Sequence, residues 1–135
     1  MPSYGVFQDI VPGPLSVQGN LSTSGSFTIT AVQDNLTAKA GGGQSTTGTS
    51  VLSPTTQFAR VTTCATIGDS ITLPAAALGE DIVVFNGGAA SMNLFPATGD
   101  AIGTGSANAA FAVGAGKGVY LFAVAAGRWL PVLSA

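Results

Sequence analysis

From Phe58 to Leu133 the chain is cut at short intervals by turn residues: Gly68-Asp69, Pro74, Gly79-Glu80, Gly87-Gly88, Gly99-Asp100, Gly103, Gly105, Gly114, Gly116, Gly118 and Gly127. Between these breaks lie short apolar runs rich in β-branched and aromatic residues, the signature of strands and not of helices. The runs predict strands at Phe58 to Cys64, Ser70 to Leu73, Asp81 to Asn86, Ser91 to Phe95, Ala110 to Val113, Val119 to Ala125 and Arg128 to Leu133. Turns at this density predict an all-β fold, a small jelly-roll-like sandwich or barrel. Pro74-Ala-Ala-Ala-Leu78 leaves room for one helical turn, which Gly79 would end.

Two hairpins are expected. In the first, Asp81-Ile-Val-Val-Phe-Asn86 stops at Gly87-Gly88, resumes as Met92-Asn-Leu-Phe95 and stops again at Pro96. In the second, Val119 to Ala125 and Arg128 to Leu133 flank Ala126-Gly127. Tyr120, Phe122 and Val124 fall on one face of its first strand, Val119, Leu121 and Ala123 on the other, so both faces are apolar. A strand of that kind is central in a sandwich or lies beneath a neighbouring subunit. Arg60, Tyr120, Phe122, Arg128 and Trp129 are therefore the candidate subunit-interface residues, although Trp129, alternating within its strand, also reads as core. Pro131 marks the last strand as an edge near its middle.

The first fifty residues differ in character. Pro2, Pro12 and Pro14 exclude a helix over residues 1–14 and leave an extended arm. It carries Tyr4, Val6, Phe7, Ile10 and Val11, apolar surface suited to docking on a sister subunit or a larger assembly. From Leu15, apolar residues at 15, 17, 27 and 29 alternate with small polar ones, and Gly19-Asn20 and Ser24-Gly25 supply turns, which predicts short strands. Residues 32–50 lose that periodicity and end in a Gly/Ser/Thr-rich run, read as a linker or surface loop. The expected organisation is thus an arm with short strands and a loop over 1–50, then a compact module over 51–135.

Charge and chemistry narrow the function. Charged residues make up 7% of the chain and the net charge is -2, so no basic surface exists for nucleic acid or anionic lipid. No apolar run reaches the roughly 20 residues that span a membrane as a helix. Met1-Pro-Ser-Tyr4 has no basic segment of a secretory signal, and synthesis in a cytoplasm is expected. With no histidine and a single cysteine, Cys64, the usual transition-metal sets and an internal disulfide are excluded, and Cys64 reads as a buried inert thiol. Asp69, Glu80, Asp81 and Asp100 follow glycines and read as solvated turn carboxylates. A serine nucleophile has neither a histidine nor a Ser-x-x-Lys lysine beside it, and Gly41-Gly-Gly43 lacks the following Lys-Ser/Thr of a phosphate loop. No enzyme, cofactor or metal is expected. The scarce cations Arg60 and Arg128 are candidates for pairing with acids across a subunit boundary. Tyr4, Tyr120 and Trp129 are the faces on which a glycan would stack.

The order of turn motifs carries a resemblance. Arg60-Val-Thr-Thr-Cys-Ala-Thr-Ile-Gly-Asp69, Leu73-Pro-Ala-Ala76, Val84-Phe-Asn-Gly-Gly-Ala89, Met92-Asn-Leu-Phe-Pro-Ala-Thr-Gly-Asp-Ala-Ile102, Ala107-Asn-Ala-Ala-Phe111 and Ala115-Gly-Lys117 succeed one another over more than half of the chain. They resemble a family of tailed-phage virion structural domains, compact β modules found on capsid decoration proteins, head fibres and tail appendages, often as trimers. The resemblance implies a homotrimeric decoration (cement) protein on the capsid surface, with the major capsid protein and its own copies as partners. The short Leu15-Ser-Val-Gln-Gly-Asn-Leu21 run likewise resembles segments of phage fibre shafts. A tail-fibre or spike tip that contacts host glycans is the alternative.

Overall fold

The computed structural model describes residues 31–135. The arm expected over residues 1–14, with Tyr4, Val6, Phe7, Ile10 and Val11, and the strands expected between residues 15 and 30 lie outside the described residues. The elements are β1 (Val32–Thr37), β2 (Phe58–Thr63), β3 (Ser70–Thr72), β4 (Asp81–Asn86), β5 (Met92–Phe95), β6 (Ala101–Ile102), β7 (Phe111–Val113), β8 (Gly118–Ala125) and β9 (Arg128–Leu133). The fold is all-β, and no helix occurs among the described residues: residues 74–78 run as irregular chain.

Two sheets enclose one core. The larger has the order β1-β2-β4-β8-β9-β6 and the smaller β3-β5-β7. Their pairing corrects the expectation of a jelly-roll-like sandwich or barrel. β1, β2 and β4 are parallel neighbours, as are β3 and β5, and an isolated parallel bridge joins Val51 to Thr72 beside them. The chain thus visits one sheet, crosses to the other and returns one strand further on, stacking Val32 on Phe58 and Phe58 on Val83 at intervals of 26 and 25 residues. This is the geometry of a short β-solenoid. Antiparallel strands close its C-terminal end: β7 against β5, β8 against β4, and β9 against β8.

The expected hairpin at Asn86-Gly87-Gly88 does not form, because β4 and β5 belong to different sheets. Asn86 explains the corner. Its fully buried side chain donates from Nδ2 to the carbonyls of Ala90 and Val113, both at 2.9 Å, and accepts from the Gly88 N–H at 3.0 Å. A polar side chain so completely bonded fixes the chain as it leaves one sheet for the other. Gly88 is required there, since a Cβ would lie 2.5 Å from the Cys64 nitrogen. The terminal hairpin does form, with Gly127 at φ 77° in its turn. Pro131 lies where β9 has lost its outer neighbour, since β6 pairs only with Arg128 and Trp129.

Alternation along the strands fills the core. Ile82 and Val84 of β4, Val119, Leu121 and Ala123 of β8, and Trp129 of β9 point inward from the larger sheet. Ile71, Leu73, Met92, Leu94 and Val113 meet them from the smaller one. Each such large side chain contributes about 1.5–3 kcal/mol by leaving water.

β1 and the loop after it lie in the region expected to be a linker. The strand carries Gln33, Asp34 and Asn35, whose polarity hides its periodicity, yet those groups hold it in place. Gln33 Oε1 accepts from Ser53 N–H at 2.8 Å and from the Thr56 hydroxyl at 2.5 Å, and Asn35 Oδ1 accepts from the Thr62 hydroxyl at 2.8 Å. The Gly/Ser/Thr-rich loop is bonded to the smaller sheet through Ser70 Oγ to the Gly43 carbonyl and Ser45 N–H to Thr72 Oγ1. The compact unit therefore extends back to Val32, and the boundary expected at residue 50 falls inside it.

Two turn acids are also not the solvated groups expected. Asp69 is 4% exposed, and its carboxylate accepts from the N–H groups of Gly41 at 3.1 Å, Ala65 at 3.2 Å and Thr66 at 3.0 Å. Asp100 accepts from the Ala76 N–H at 2.8 Å. Cys64 is buried, and burial first, then the Asp69 charge, pushes its thiol above the usual range. A thiol so placed is a poor nucleophile. Thiol reagents are expected to label the native protein at least about a hundredfold more slowly than the denatured chain; equal rates would contradict its burial.

Candidate functional site: an open apolar sheet face

The larger sheet turns one face to the core and leaves the other open. Register places Val32, Phe58, Val83, Tyr120 and Val132 side by side across five strands of that open face. A second row, Asp81, Phe122 and Leu130, lies beside it, and a third joins Arg60 to Phe85. Phe58 is 38% exposed, Tyr120 39%, Phe122 38%, Leu130 49% and Val132 58%. Scattered exposed apolar residues are ordinary, but a continuous apolar surface across neighbouring strands marks an interaction site.

Few charges interrupt this face, and those present are neutralised locally. Arg60 donates to Asp34 through Nε at 2.6 Å and through a terminal nitrogen at 2.9 Å. The hydrogen bond from Arg60 holds the Asp34 carboxyl below the ordinary carboxylate range. The expectation of a pair across a subunit boundary is corrected here, because the parallel register of β1 on β2 brings Asp34 of the same chain beside Arg60. Arg128 likewise finds an acceptor in its own chain, the Gly103 carbonyl. Tyr120 donates its hydroxyl to Asp81 at 3.3 Å, and partial burial, with the Asp81 charge, raises its phenol above the usual value.

Of the five candidate interface residues, Arg60, Tyr120 and Phe122 share the open face, and Arg128 follows the outward alternation of Leu130 and Val132. Trp129 does not: it is 1% exposed and belongs to the chain's own core, as its place in the alternation also predicts. Its ring offers no stacking surface. Val32, Phe58, Val83, Leu130 and Val132 complete the face and were not singled out from sequence. Their signal was the outward apolar position in each strand, which becomes a surface only when the pairing is known.

Among the described residues no three metal-ligating side chains cluster. Chemically the face offers apolar contact, one phenol and one satisfied ion pair, a set suited to packing and not to bond-making. Compared with family models, curated proteins and solved structures, the chain matches none of them.

Proposed function

We propose that this chain is a structural protein of a phage particle, a decoration protein that binds the outer capsid shell and stabilises it. The observation that carries the reading is the open apolar face from Val32 to Val132, which needs a protein partner. Copies of the chain are that partner, three of them packing Tyr120, Phe122 and their neighbours about a common axis, in keeping with the resemblance over residues 60–135. Small residues and scarce charge suit such close packing. Arm residues Tyr4, Val6, Phe7, Ile10 and Val11 then reach the major capsid protein. Binding a surface that exists only on the assembled lattice stabilises the lattice by mass action.

The receptor-binding tail-appendage alternative drew on Trp129 as a stacking face, and the burial of that ring favours the capsid reading. Deleting residues 1–14 is expected to abolish occupancy on purified capsids while leaving the circular dichroism and melting of the module unchanged. Full occupancy after the deletion would remove the arm from the proposal. Binding to host cells without capsids would transfer the protein to the tail.

A further inference from the structure

Trp129 Nε1 is a buried donor with no hydrogen-bond partner among the described residues. Buried N–H groups are rarely left so, because an unmade bond forfeits the solvation the group had in water. The indole also lines a cleft of about 370 Å³ that opens to solvent between the Pro54–Gln57 segment and the Gly79–Asp81 turn. Pro74 completes its wall, and Glu80 and Asp81 stand exposed at its rim. Neither carboxylate has an ion-pair partner within the described chain, and no lysine or arginine lines the cleft.

This combination restricts what fits. An anion would be repelled by Glu80 and Asp81. A simple cation would satisfy the carboxylates but offers nothing for an indole N–H to donate to. A hydroxyl does both, accepting one hydrogen bond while donating another. The volume is at the small end of the roughly 300–1,000 Å³ of small-molecule sites. Pro54, Pro74 and the Thr55 methyl supply the apolar contact that the C–H face of a sugar ring needs.

We propose that this cleft binds a polyhydroxylated ligand, one sugar ring of a glycan, with a hydroxyl oxygen accepting from Trp129 Nε1–H and further hydroxyls donating to Glu80 and Asp81. The site uses the edge of the indole and not its face, so it differs from ring stacking. It lies at the end of β4 and does not depend on the open sheet face being an interface.

The chain contains one tryptophan, so the indole N–H of the full-length protein gives a single cross-peak in a nitrogen–proton correlation spectrum. Titration with methyl glycosides of neutral hexoses and N-acetylhexosamines, with ethylene glycol as control, is expected to move that peak saturably for at least one sugar. The Glu80→Gln, Asp81→Asn double variant, altered only at exposed positions, is expected to bind that sugar about tenfold more weakly with the rest of its spectrum preserved. An indole peak unmoved by every glycoside, or moved equally by ethylene glycol or in the double variant, would overturn the site. Capsid occupancy measured on the same double variant is expected to stay unchanged, which separates this outcome from the fate of the decoration reading.

Discussion

Asp69→Ala is expected to lower the unfolding free energy by about 3–5 kcal/mol, among the largest effects of any single substitution in this chain. The carboxylate is almost fully buried and accepts three backbone N–H groups, from Gly41, Ala65 and Thr66. Truncation leaves those donors without acceptors, each costing about 1–3 kcal/mol, with water entering to recover part of it. The bonds also join chain segments 28 residues apart, so the loop after β1 is expected to loosen from the β2–β3 turn. Asp69→Asn is expected to fall between the two, because one amide oxygen remains to accept while the amide nitrogen faces a donor. Chemical denaturation of the three proteins provides the measurement, and an Asp69→Ala midpoint equal to the parent's would show that the carboxylate is not a staple.

Tyr120→Lys combined with Val132→Lys is expected to turn an assembly of copies into single folded chains. The two residues are register partners at the centre of the open face, both project outward, and neither supports the core. Two ammonium groups placed there would have to be desolvated in every copy against like charges in the next, which costs several kcal/mol. The association constant is expected to drop by about a thousandfold or more. Sedimentation would show the loss of the larger species, while the circular dichroism of the module stays that of the parent. A parent chain that sediments as a monomer at all concentrations, or a double variant that assembles as the parent does, would reject the face as a contact between copies.

The strands were legible in the sequence, and their neighbours were not. Seven predicted segments coincide with β2 to β5 and β7 to β9 because inward apolar residues alternate and glycines stop each run. The alternation is the same whether a strand pairs with its sequence neighbour or with the strand one turn earlier, so it carried no information on the parallel stacking of β1, β2 and β4. The hairpin at Asn86 failed for that reason: the asparagine that resembles a turn signal is a buried corner with all its side-chain polar atoms bonded. β1 was missed because polar side chains hold it. Tyr120 and Phe122 were found from the two apolar faces of β8, but Phe58 and Val83 joined them only through cross-strand register. Nothing along the sequence marked Trp129 Nε1 as unpartnered, since that depends on what surrounds the ring in space.

The reversal of strand direction at the C-terminal end has a consequence for polymer growth. A stack of parallel rungs is a template on which another molecule's rungs could continue, in the manner of a filament adding subunits head to tail. Here the last strands run against that polarity. The larger sheet finishes on a two-residue β6 and a β9 whose Pro131 has no N–H to give. One terminus of the stack is thereby a stop codon written in backbone hydrogen bonds: the molecule can associate sideways through its open face, but that end has no ladder left for elongation.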